Sequence, residues 1–173
     1  MKFSIASLLS LATAVSAIDI YLHPNTDCSG TAGVCAGAGP RGCCTGPGGA
    51  GSASGVALRG IPIGWLVELQ GFTGGGCTNF AGRTGSGGGT TFLCLRGGFF
   101  TGAGYIFYGK KRDETAEVDD KKCQRFNILR LADGTEYDVS GLNDEVFDSL
   151  LPIGLNATTH EEVPNELKTL RIE

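Results

Sequence analysis

The chain has little of what a catalyst or a nucleic-acid binder needs. His23 and His160 are its two histidines. The Gly-x-Ser-x-Gly nucleophile elbow is absent, and nothing local marks a serine as part of a Ser-His-Asp set. Before residue 110 the mature chain carries three carboxylates, Asp19, Asp27 and Glu68, a thin supply for the placed pair of a glycosidase. Gly85-Ser86-Gly87-Gly88-Gly89-Thr90-Thr91 lacks the lysine of a phosphate-binding loop and reads as a connector. There is no basic stripe: 14 Lys and Arg face 18 Asp and Glu, for a net charge of −4, which argues against a nucleic-acid partner. Beyond the N-terminus no apolar run reaches the roughly 20 residues that cross a bilayer. These absences predict a protein that is not an enzyme, needs no cofactor or metal, and has no membrane span.

What is plentiful is glycine, 29 residues, and cysteine, seven residues. Glycine loses more backbone freedom on folding than any other residue. Disulfides offset that loss by restricting the unfolded chain, and they persist in oxidising compartments. The N-terminus names the compartment. Lys2 is followed by an apolar stretch from Phe3 to Val15, then by small residues at Val15-Ser16-Ala17. This predicts a signal peptide over residues 1–17, cleaved after Ala17, and a secreted product.

Charge and glycine divide the remainder. Residues 18–110 hold five basic and three acidic side chains, six cysteines and all but three of the glycines. Residues 111–173 hold eight basic and fifteen acidic side chains and one cysteine, Cys123. The expected organisation is a cysteine- and glycine-rich β core over 18–110, a charged linker over 111–122, and an acidic C-terminal extension over 123–173. Lys111-Arg112 in the linker is a dibasic candidate for proteolytic processing. The even cysteine count ahead of it predicts a core able to fold alone.

In the core, Ile18–His23, Val56–Leu58, Trp65–Gln70, Thr91–Leu95 and Tyr105–Tyr108 read as short strands between glycine-rich turns. A faint repeat relates two halves. A strand leads to Cys28 and then Cys44, and again a strand leads to Cys77 and then Cys94, at intervals of 16 and 17 residues. Such halves would make a Greek-key β-sandwich. Adjacent Cys43 and Cys44 rarely bond each other, because a bridge wants a wider Cα separation. The repeat suggests Cys77 with Cys94. Cys28 and Cys35 would then share Cys43 and Cys44, with Cys28–Cys44 and Cys35–Cys43 preferred.

Tyr21 opens the first half, Cys28-Ser29-Gly30 stands where an aromatic-x-Gly turn would be, and Phe72 and Cys77 mark the second half. On these residues the segment 18–110 resembles the βγ-crystallin-like fold. The acidic/amide pair and x-x-Ser/Thr-Ser of that family's calcium site are missing. Small secreted proteins of that fold include killer toxins, antifungal proteins and protease inhibitors. With its signal peptide, Ile18-Asp19-Ile20-Tyr21-Leu22, vicinal Cys43-Cys44 and glycine-rich linkers, the chain also resembles small cysteine-rich secreted proteins of filamentous fungi. That resemblance implies an effector or elicitor that binds a host component, an extracellular protein or a glycan. A toxin-like or inhibitory sandwich is the alternative. Phe99-Phe100, beside Gly97-Gly98, is a candidate contact loop, with core packing as the competing role.

Past Cys123 the pattern changes. Asn127 to Leu131, Asp133-Gly134 and Thr135 to Val139 predict a hairpin with a type I′ turn. Leu142, Val146, Phe147, Leu150 and Leu151 recur at helical spacing, with Ser140 or Asn143 as cap and Pro152 as stop. Residues 165–170 suit one more short helix. Asn156-Ala157-Thr158 is a sequon, so Asn156 is a candidate glycosylation site.

Overall fold

The computed structural model describes residues 18–49, 52–108 and 123–173. Ala17, Lys111 and Arg112, with the predicted cleavage and processing sites, lie outside the described residues. The chain is mainly β. In order it forms β1 (Ile18–His23), β2 (Ala32–Ala38), β3 (Cys43–Thr45), β4 (Ala53–Arg59), β5 (Val67–Thr73), β6 (Asn79–Gly85), β7 (Phe92–Phe100) and β8 (Gly102–Phe107). Then come β9 (Cys123–Arg125), β10 (Ile128–Arg130), β11 (Glu136–Asp138), helix α1 (Asp144–Asn156) and helix α2 (Asn165–Lys168).

The strands build two sheets, ordered β11-β10-β2-β1-β4-β7 and β6-β5-β8-β3-β9. Strands β1 to β4 form one half and β5 to β8 the other. Each half keeps three strands in its own sheet and gives its third to the partner sheet. Strand β3 pairs with β8 through Cys44–Ala103, and β7 pairs with β4 from Phe92–Arg59 to Phe100–Ala53. Alternation then decides the core: Ile18, Ile20 and Leu22 on β1 point inward with Val56, Leu58, Val67, Leu69 and Tyr105. Close approach of the sheets needs glycine at Gly71, where a Cβ would meet the Phe100 ring and come within 3.0 Å of Leu95.

The C-terminal extension joins this core. Strands β10 and β11 lengthen one sheet beyond β2. Strand β9 lengthens the other, running parallel to β3. Phe126, Leu129, Tyr137, Phe147 and Leu151 are buried in the same apolar cluster as Ile20 and Leu58. At roughly 1.5–3 kcal/mol for each large apolar side chain removed from water, this docking is a major part of the fold's stability.

Two local expectations change. The hairpin has a three-residue loop: Leu131 N–H donates to the Thr135 carbonyl at 2.8 Å, with Gly134 at φ 91°. A left-handed glycine at the loop's third position marks a bulged turn rather than the type I′ turn. Helix α1 is capped by Asn143, whose side chain accepts from Val146 N–H at 2.9 Å, but Pro152 does not stop it. Proline removes one helical N–H and crowds the carbonyl four residues back, a cost of about 3 kcal/mol. Burial of Phe147, Leu151 and Gly154 opposes that cost. Gly154 permits the contact, since a Cβ there would lie 2.8 Å from Leu129.

Candidate functional site

The disulfides follow from the exchanged third strands. Cys28, in the loop after β1, bonds Cys94 on β7, with Cα atoms 6.0 Å apart. Cys77, in the equivalent loop after β5, meets Cys43 on β3, also at 6.0 Å. Each half's first cysteine therefore bridges to the strand it received from the other half. The pairings Cys28–Cys44 and Cys77–Cys94 are corrected: they would keep each bridge inside one half, whereas β3 and β7 carry their cysteines into the opposite sheet. Cys35 bonds Cys44 rather than Cys43, with Cα atoms 5.9 Å apart. Cys44 points inward opposite Cys35, while Cys43, its neighbour, faces the outer side.

That outer side holds a third sulfur. Cys123 is the register partner of Cys43 across β9 and β3, and it too stands in bonding position to Cys43, with Cα atoms 4.3 Å apart. The Sγ atoms of Cys43, Cys77 and Cys123 lie within 4.8 Å of one another. Cys43 and Cys77 are buried beside Phe72, with Ile106 against them, and Cys123 is exposed. The odd count marked Cys123 in the sequence, but its neighbours depend on β9 pairing with β3, which spacing does not show. Three thiolates so placed suit a soft metal ion. A Cys43 sulfur held in a disulfide does not, because the thiolate is the ligand.

The other chemically marked residues do not converge. Asp19 and His23 share a face of β1, yet Asp19 accepts from Gly37 N–H at 2.9 Å, while His23 is buried beneath the loop that carries Thr31. Its Nδ1 lies 3.3 Å from the Thr31 carbonyl, and its ring stacks on Tyr21. Burial, helped by the Arg59 charge, lowers the His23 pKa to about 4. Asp27 accepts from the hydroxyl and N–H of Ser29, which lowers its pKa. Glu68 faces outward on β5, accepts from Gln70 at 2.9 Å and lies 3.5 Å from Arg83. His160 Nδ1 pairs with the buried Tyr137 hydroxyl at 2.6 Å.

Phe99 and Phe100 divide. Phe100 is buried against Gly71, and Phe99 is 69% exposed. More of the exposed apolar side chains lie on the segments at the other end of β7. Ile63, 67% exposed, and Leu66 occupy the β4–β5 connection; Phe92 begins β7, Phe107 ends β8 and Tyr108 follows it. Hydrogen bonds hold these segments together, from Gly64 N–H to Gly88, from Tyr108 N–H to Leu66, and from Ile61 N–H to Thr91. Trp65 packs edge-on to Phe107 with ring centres 5.1 Å apart. The scattered sequence positions hid this cluster. Asn156 is exposed at the end of α1, on a groove of about 630 Å³ between that helix and the Pro47–Gly49 turn.

Two exchanged β halves, cross-bridged by cysteines and completed by a C-terminal hairpin and helix, define a disulfide-braced, mainly β domain. Among the described residues no helix is long and apolar enough to cross a membrane. The chain belongs to the ARB_05566_N family, whose model, described as an N-terminal domain, matches residues 19–127. The matched span holds all seven cysteines, Cys123 included. No curated protein and no solved structure matches the chain.

Proposed function

We propose that this protein is secreted and acts without catalysis, as an effector- or elicitor-type binding protein that engages a host protein outside the producing cell. The observation that carries the reading is the apolar end formed by Ile63, Leu66, Phe92, Phe107 and Tyr108. It gathers five of the nine large apolar side chains exposed among the described residues, and such a concentration marks an interaction surface better than scattered exposure does. Aromatic anchors on strands lose little side-chain freedom on binding. Bridges within each sheet, and Cys35–Cys44 between them, keep the surface formed in an oxidising environment. The N-terminal signal, removed after Ala17, supplies the export route, and the exposed Asn156 is a site for a glycan.

The second reading, a toxin-like or inhibitory sandwich, is favoured by the exchange of β3 and β7 between halves. That exchange supports the resemblance to the βγ-crystallin-like fold. Plant-tissue cell-death assays beside fungal and bacterial growth inhibition separate the two. The first reading predicts a tissue response that is lost in Ile63→Ser/Phe107→Ser, with no growth inhibition. Growth inhibition without a tissue response contradicts it.

A further inference from the structure

We propose that the groove between α1 and the Pro47–Gly49 turn seats the first sugar, an N-acetylglucosamine, of a glycan carried on Asn156. The seat rests on the export and the Asn156 glycan of the reading above. Asn156-Ala157-Thr158 is the one Asn-x-Ser/Thr sequon in the chain, and Asn156 itself lines the groove. Its side chain is held in place, since Nδ2 donates to the Pro152 carbonyl at 2.8 Å. An asparagine amide has two hydrogens. Transfer of the sugar from a lipid diphosphate donor forms the C1–Nδ2 bond, breaks the C1–O bond to the diphosphate and releases one of them as a proton. The other keeps the bond to Pro152, so the anchor survives the modification.

The walls suit a sugar ring. The groove's volume of about 630 Å³ falls within the roughly 300–1,000 Å³ of small-ligand sites. Pro24, Pro47 and Pro152 give it apolar walls for the C–H faces of a pyranose, and Ser54 and Asp148 give it polar groups for the hydroxyls and the acetamido N–H. Asp148 Oδ1 accepts from Gly48 N–H at 2.7 Å. Its second oxygen takes no hydrogen bond among the described residues. A free sugar would fill so open a site poorly. Attachment to Asn156 changes that, because a short tether raises the local concentration to about the millimolar range. The seated sugar touches α1 on one side and Pro24 and Pro47 on the other, and so joins the C-terminal extension to the β core.

The test uses the full chain, isotope-labelled and secreted by a eukaryotic host, with its glycan trimmed by endoglycosidase H to a single N-acetylglucosamine. Mass spectrometry first reads whether Asn156 carries the sugar. A bare Asn156 overturns the glycan reading and the seat together. With the sugar present, nuclear Overhauser contacts of its ring protons test the seat alone. Contacts to Pro24 or Pro47, across the groove, are expected. The sugar's proton shifts should also differ from those of the same glycopeptide released by digestion, and the difference should be lost when the protein is unfolded. Contacts confined to α1, or shifts equal to those of the free glycopeptide, overturn the seat and leave the Asn156 glycan standing. No variant has to fold.

Discussion

Cys28 and Cys94 are 66 residues apart in sequence and bonded in space, the first in the half that contributes β4 and the second on the strand that β4 receives from the other half. The bond locks the exchange of third strands. Its counterpart between Cys77 and Cys43 does the same in the other sheet.

Loop size ranks the bridges. A sequence separation of 66 restricts the unfolded chain by about 4 kcal/mol, against about 2.6 kcal/mol for the separation of 9 between Cys35 and Cys44. Cys28→Ala/Cys94→Ala should therefore lower stability more than Cys35→Ala/Cys44→Ala. Denaturant melts of both double variants check the order, and a reversed ranking would count against the loop-closure account.

The extension should be part of the cooperative unit. Phe147 is buried against Phe126, with ring centres 5.0 Å apart, and Arg125 lies over its ring. Phe147→Ala should cost about 3–5 kcal/mol and shift the single melting transition of the whole domain. A separate, early transition with an unchanged main one would show a detachable tail. Chains ending at Lys110 should be destabilised similarly, since β2 would lose β10 and β3 would lose β9.

Acid should act through His23. Its pKa of about 4 in the fold lies below the ordinary value of 6.5, so between those values the unfolded chain binds the extra proton. Stability then falls as pH drops from 6.5 toward 4, with a slope approaching about 1.4 kcal/mol per pH unit for one proton. Arg59 reinforces the shift, while the Thr31 and Ser29 backbone contacts and Asp27 oppose it. His23→Gln should flatten the pH profile of stability in that window. An unchanged slope would place the proton uptake elsewhere.

Partner capture should depend on the apolar end. Ile63→Ser and Phe107→Ser should weaken capture of the host protein at least tenfold, the effect of losing about 1.4 kcal/mol, with little change in melting temperature. Phe99→Ser, at the opposite end of β7, should leave capture intact. Equal losses from all three would contradict the assignment of the surface.

Legibility in the sequence tracked local pattern. Strand β1, the β10–β11 hairpin and the Asn143-capped helix were readable because alternation, turn residues and a cap lie within a few positions of one another. Strand β2, Ala-Gly-Val-Cys-Ala-Gly-Ala, is built from small residues with no clear alternation. Strand β6 is a mostly exposed sheet edge, and β3 is three residues long, so neither carries a burial pattern. The half-repeat was visible in the 16- and 17-residue cysteine spacings, but the exchange of β3 and β7 was not, because register between distant strands leaves no local trace. The bridge partners were misassigned for that reason. Cys123 was visible only as an odd count until β9 placed it beside Cys43.

The central claim, that the halves trade third strands and are bridged across the trade, rests most directly on the disulfide map. Proteolysis of the unreduced full chain, followed by mass spectrometry, should recover one peptide pair joining Cys28 to Cys94, another joining Cys35 to Cys44, and Cys43 joined to Cys77 or Cys123. Recovery of Cys28 joined to Cys44 and Cys77 joined to Cys94 would confine the bridges to single halves and contradict the account.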